Sequence, residues 1–122
     1  MFRVQKTMEI SGSHQLKLDY DSPCKDLHGH NWFITVYCRA NGLDDNGMVV
    51  DFTKIKKIVH DRMDHKHLND LFQFNPTAEN LACYIASCVN VDPTVADIHR
   101  GFRCYRVDVE ETKNNIATYE EE

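Results

Sequence analysis

His14, Cys24, His28 and His30 are the residues whose types and spacing could do chemistry. One glycine separates His28 from His30, so in extended chain both imidazoles project from the same side. Gly29 has no Cβ and would not crowd an ion held between them. Neutral imidazole is the commonest metal ligand and suits zinc. His14, from the preceding apolar run, offers a third nitrogen. Three protein ligands with a fourth position left to water or substrate describe a catalytic zinc; a set that takes in Cys24 describes a softer, closed, structural one. The spacing leaves both readings open, beside a third in which His14 is a hydrogen-bonded core histidine.

Two further groups carry chemistry-bearing residues. The stretch from Met63 to Asp70 contains Asp64, His65 and His67. It reads as a catalytic Asp-His pair, as a second His-x-His metal site, or as a plain helix-exit loop. Glu111 closes the apolar face of a predicted strand, where a carboxylate needs a partner. That placement marks it as a ligand-binding residue, against the alternative of an edge carboxylate turned to water. Its neighbour Glu110 falls on the charged face.

The elements that must position these residues follow from periodicity. Phe2, Val4, Met8 and Ile10 alternate with polar residues, which predicts a strand interrupted at Lys6. The even phase resumes after Gly12 with His14, Leu16 and Leu18. Asp19 to Pro23 is turn chemistry, and Cys24 follows it in a polar loop where a thiol is accessible. From His30 the even phase runs through Trp32, Ile34, Val36, Cys38 and Ala40, with His28 and His30 at the leading end of a long strand. After the loop at 41–47, Asp51 caps a helix whose stripe is Phe52, Ile55, Ile58, Val59, Arg62 and Met63. Thr77 caps a second helix with Ala78, Leu81, Ala82, Ile85, Cys88 and Val89 inward, stopped by Pro93. A strand over 103–111 puts Arg103, Tyr105, Val107, Val109 and Glu111 on one face and Cys104, Arg106, Asp108 and Glu110 on the other. Residues 116–119 pair back as a short strand, and 120–122 form a frayed tail. Strand, strand, helix, helix, strand, strand is an α+β order: a four-stranded antiparallel sheet with both helices on one face. The open face and edges need cover, and self-association is the economical answer.

Length and composition narrow the class. With 122 residues the chain is one domain, 1–122, of ordinary soluble composition at 42% hydrophobic and 27% charged. No apolar run approaches the roughly 20 residues of a membrane helix, and the first residues lack the apolar core of a secretory signal. The net charge of −5 argues against nucleic acid as the partner. Five cysteines without a secretory signal imply free thiols in a reducing, cytoplasmic setting. Cys38, Cys83, Cys88 and Cys104 fall in apolar patterns and read as core or near-core.

Taken together, Ser13-His14, Cys24-x3-His28-Gly29-His30, Met48-Val49-Val50-Asp51-Phe52, Asp64-His65 with Leu68-Asn69, Pro76 to Leu81, and Glu111-Thr112 resemble the 6-pyruvoyltetrahydropterin synthase superfamily. The three residues between Cys24 and His28 look like its bacterial queuosine (7-deazaguanine) branch. Ile10 to Ser13 depart from the Phe and Ala residues of many members, which should alter packing beside His14 and not the ligand. The resemblance implies a T-fold assembled into homo-trimers or homo-hexamers with sites between subunits. It implies zinc on His14, His28 and His30, Cys24 as general base, Asp64 and His65 as proton-relay partners, and Glu111, helped by Thr112, anchoring a pterin ring. The implied reaction is zinc-dependent carbon–carbon lysis of 7,8-dihydroneopterin triphosphate to 6-carboxy-5,6,7,8-tetrahydropterin, acetaldehyde and triphosphate.

Overall fold

The computed structural model describes residues 1–122. The chain runs β1 (Phe2–His14), β2 (His28–Ala40), α1 (Phe52–Met63), β3 (Lys66–His67), the one-turn helix α2 (Leu68–Leu71), α3 (Ala78–Val91), β4 (Arg103–Thr112) and β5 (Asn115–Glu120). The architecture is α+β. The sheet order is β3-β1-β2-β4-β5, so the four-stranded antiparallel sheet becomes a five-stranded mixed one. The added strand β3 runs parallel to β1, pairing Gly12 with Lys66 and Ser13 with His67. Two residues are too few to register as a period in sequence. They are drawn to β1 by long-range bonds: His65 N donates to Ser11 O at 2.7 Å, and Ser11 N donates to Asp64 Oδ1 at 2.8 Å.

The helices form at the expected caps. Asp51 Oδ1 accepts from Thr53 N at 2.8 Å, and Thr77 Oγ1 accepts from Asn80 N at 3.1 Å, each satisfying an otherwise orphaned amide. α1 buries Ile55, Ile58, Val59 and Met63 over β1; α3 buries Ala78, Leu81, Ala82, Ile85, Ala86 and Val89 over β4 and β5. Phe52 and Arg62 fall outside the buried stripe. Arg62 instead crosses between helices, its Nη1 3.2 Å from Tyr84 Oη and from Cys88 Sγ. Cys83 is exposed, not near-core, because it lies off the apolar stripe of α3.

β1 is continuous. Lys6 keeps the core-side phase and places its ammonium 5.9 Å from the centre of the Phe52 ring, so the charge escapes the core beside the helix. In β4 the predicted phase fails at its start. Cys104 is buried, because a bulge beside Tyr105 lets Cys38 face Cys104 while Tyr37 faces Arg106. Beyond that bulge Val107 and Val109 point to the core as expected. The tail is not frayed at Glu121. Arg103 binds both its carboxylate oxygens, at 3.1 and 2.7 Å, and its amide donates to Tyr105 O at 3.0 Å. The connection after α3 is built by Arg100, whose guanidinium donates to Asp97 Oδ2 and to the carbonyls of Gly42, Met48 and Val49. Gly101 follows with φ +66°, where a Cβ would meet Asn41 Nδ2 at 2.7 Å.

Candidate metal centre and adjoining clefts

The centre is built by pairing β1 with β2. Antiparallel register sets His14 directly opposite His28, and Gly12 opposite His30. All three imidazoles therefore fall on the helix-side face, and β4 adds Glu111 from the other flank of β2. One ligand atom from each of His14, His28, His30 and Glu111 lies within 4.8 Å of all the others. Beneath them the buried Trp32 ring stands edge-on to His14 and His30, with centroids 4.9 and 5.3 Å away, and is held by its Nε1–H donating to Gly12 O at 3.2 Å.

The hydrogen bonds fix which nitrogens face inward. His14 Nδ1 lies 2.9 Å from Pro76 O, and His28 Nδ1 lies 2.6 Å from Asp26 O. A carbonyl can only accept, so both Nδ1 atoms carry the proton and both Nε2 atoms present lone pairs. Those two Nε2 atoms are 2.7 Å apart. Glu111 Oε1 stands 3.2 Å from His14 Nε2 and 3.0 Å from His30 Nε2. The His30 contact lacks hydrogen-bond geometry, and His30 Nε2 is a buried polar atom without a partner. Lone pairs and a carboxylate oxygen crowded in this way repel each other unless a cation lies among them. The donor set, nitrogen with one carboxylate, fits a divalent metal such as zinc. Burial chiefly lowers His30, which favours the neutral, ligating imidazole.

Cys24 is outside the cluster of metal-ligating atoms. It sits in a short turn, Pro23–Lys25, with its amide bonded to Ser22 Oγ at 3.2 Å and its carbonyl accepting from Leu16 N at 3.0 Å. It is half-buried and lines a cleft of about 440 Å³ with His28, His30, Glu111, Thr112 and Asn115. The fourth member of the cluster is thus a carboxylate on β4, while the thiol stands beside the centre in the same cleft as two of its histidines.

Asp64 and His65 form a pair with His65 Nδ1 2.8 Å from Asp64 Oδ2. The Ser11 amide is the main cause that lowers the Asp64 carboxyl, followed among the favourable contacts by His65. His65 has φ +57° at the exit of α1, a left-handed conformation that favours glycine. The pair does not meet Cys24 within one chain. His65 lines a separate cavity of about 580 Å³ beside Ser11, Ser13, Lys66 and His67, and His30 borders both spaces. His67 Nδ1 contacts Ser13 Oγ at 3.0 Å, so His65 and His67 belong to no metal cluster.

Asn69, part of the Leu68-Asn69 motif, and Asn75 have positioning roles that the sequence did not reveal. Asn69 Oδ1 accepts from Gln15 N and its Nδ2 donates to Gln15 O, both at 2.8 Å. Asn75 repeats this on Lys17, at 2.9 Å each way. Each amide mimics a strand partner and pins the chain leaving His14. An asparagine-rich loop gives no cue to such a partner in sequence, because the partner is more than fifty residues away.

Comparison with known proteins finds one family along nearly the whole chain. A family model described as 6-pyruvoyl tetrahydropterin synthase matches residues 3–122. The 6-carboxy-5,6,7,8-tetrahydropterin synthase of Bacillus subtilis is 31% identical over 125 residues, covering 97% of this chain and 84% of that protein. The 6-pyruvoyl tetrahydrobiopterin synthase of Dictyostelium discoideum is 33% identical over 127 residues, covering 90% and 89%. Among solved structures, the 6-pyruvoyl tetrahydropterin synthase of Caenorhabditis elegans superposes with a TM-score of 0.75 at 27% identity, covering 99% of this chain and 96% of that one.

Proposed function

The chain belongs to the 6-pyruvoyl tetrahydropterin synthase family of enzymes, and from that premise we propose that it is a zinc-dependent 6-carboxy-5,6,7,8-tetrahydropterin synthase of queuosine biosynthesis. It would convert 7,8-dihydroneopterin triphosphate to 6-carboxy-5,6,7,8-tetrahydropterin, acetaldehyde and triphosphate. The observation that carries this reading is the placement of Cys24 beside the His14–His28–His30 centre and outside its ligand set. A thiol in that position is free to move protons, whereas a fourth ligand is not.

His14, His28 and His30 would hold zinc, with Glu111 within reach. When bound, the metal supplies Lewis acidity to the side-chain oxygens of the substrate. Every other task belongs to the chain. Cys24 takes a proton from a side-chain carbon of a substrate seated in the cleft that it lines. His65 accepts and returns protons, and Asp64 fixes its Nδ1–H and balances the imidazolium charge. Glu111, with Thr112 beside it in the cleft, accepts hydrogen bonds from the guanidine-like edge of the pterin, a charge-assisted and directional contact. Cys24 and His65, the exposed member of the Asp64–His65 pair, line different spaces on one chain, which supports a site between subunits, the relay of one copy facing the thiol of another. A cytoplasmic homo-trimer or homo-hexamer is the assembly that reading needs.

Product analysis tests it. Incubation of the zinc-loaded protein with 7,8-dihydroneopterin triphosphate should release acetaldehyde and 6-carboxytetrahydropterin. A pyruvoyl side chain kept intact would instead assign a triphosphate-eliminating 6-pyruvoyltetrahydropterin synthase. Cys24→Ala should keep its zinc and lose turnover; loss of zinc with unfolding would show a structural metal site.

A further inference from the structure

The space of about 580 Å³ around His65 has a composition that the functions above do not use. Its walls are Ser11, Gly12, Ser13, Gly29, His30, Asn31, His65, Lys66 and His67, with neither an apolar side chain nor a carboxylate among them. This is unusual in a chain with 19 acidic residues and net charge −5. Two acids touch its wall residues from outside: Asp64, whose Oδ1 accepts from the Ser11 amide and whose Oδ2 faces His65 and, at 3.5 Å, His60 Nε2, and Glu111, which lies 3.0 Å from His30 Nε2 on the side of the metal centre. Lys66 makes no ion pair, and His67 contacts only the neutral hydroxyl of Ser13. The Cys24 cleft has the opposite character, with Glu111 on its wall.

We propose that the acid-free cavity formed by Ser13, Asn31, Lys66 and His67 is the polyphosphate subsite, and that Lys66 and His67 bind the triphosphate of the substrate. The inference rests on the pterin triphosphate reading. The two ends of such a substrate differ in charge, and the two spaces sort them. A carboxylate suits the guanidine-like ring edge and repels a polyanion, whereas an ammonium, imidazoles and hydroxyl donors suit phosphate oxygens. The chemistry also requires proximity. The triphosphate ester is on the side-chain carbon next to those whose protons move, so the group that relays protons must lie within a few bonds of the phosphate. His65 is the relay group, and it shares this cavity with Lys66 and His67.

Isothermal titration of the zinc-loaded protein with inorganic triphosphate, with zinc content checked before and after, tests the assignment. Lys66→Gln and His67→Gln should each weaken binding about tenfold or more, raise KM for the triphosphate substrate, and leave binding of unphosphorylated 7,8-dihydroneopterin within twofold of wild type. Lys66→Arg should restore most of the affinity. Triphosphate affinity unchanged in both glutamine variants would overturn the subsite. A protein that binds no dihydropterin but still loses triphosphate affinity with Lys66 would overturn the pterin reading and leave the anion site standing.

Discussion

At the scale of single residues, the centre is defined by which atoms lack partners. His14 and His28 spend their Nδ1 protons on backbone carbonyls, and His30 Nε2 has no hydrogen bond. Metal removal by a chelator should therefore destabilise the fold, since facing lone pairs would be left without a cation; a melting temperature unchanged by chelation would refute the cluster as a metal centre. The adjacent glutamates separate ring binding from surface charge. Glu111→Ala should weaken pterin binding strongly and lower zinc affinity, while Glu110→Ala should change each by less than about twofold; equal losses would place the wrong carboxylate in the cleft. His65 offers a test of role against stability. Because its φ is +57°, His65→Gly should leave stability unchanged or raise it by up to about 1 kcal/mol, while turnover collapses. A destabilised glycine variant would mean that the imidazole is structural.

At the scale of elements, the site depends on segments that have no regular structure of their own. The chain leaving β1 is held by the Asn69 amide from the one-turn α2 and by the Asn75 amide from the loop after it, and that loop supplies Pro76 O to His14. Asn75→Ala should release that clamp and speed zinc loss more than it lowers the melting temperature. The loop after β2 is fastened from afar by Arg100, whose removal leaves the Gly42 and Val49 carbonyls short of a donor, while Met48 O keeps the Asp44 amide. Arg100→Ala should cost about 1.5–3 kcal/mol in denaturant unfolding with little change in metal affinity, because the anchor is remote from the histidines.

At the scale of the whole molecule, acid should unfold the protein in a predictable direction. Asp51, Asp64, Asp92, Asp97, Asp108 and Glu121 all sit below the usual carboxylate range, held there by capping amides, hydroxyls or guanidinium partners. Depressed carboxyls contribute stability that is present above their unfolded pKa near 4 and is lost as pH falls through their lower folded values. Stability should thus drop most steeply below roughly pH 4, after a smaller loss as pH falls below about 6.5 from His30, which is neutral in the fold and protonated when unfolded; a profile flat down to pH 5 would refute the His30 shift. The sheet ends on β5 at one side, and β1 is covered by β3 only at Gly12 and Ser13. Native mass measurement should find trimers or hexamers, and a proline in β5 should shift them toward monomer.

The sequence alone determined the two long strands, both main helices with their caps, and the imidazoles at 14, 28 and 30, because period, capping chemistry and a two-residue spacing are local properties. It also placed Glu111 on the inward face by extending the alternation of Val107 and Val109, although the pairing of β4 with β5 shifts register at Glu111 itself. Tertiary structure decided what depends on partners remote in the chain. These are the two-residue β3, the bulge that turns Cys104 inward, the asparagine clamps, and the entry of Glu111 into the histidine cluster. Each arises where segments distant in sequence meet, and for the strands the register is set by the packed core, not by any short run of residues.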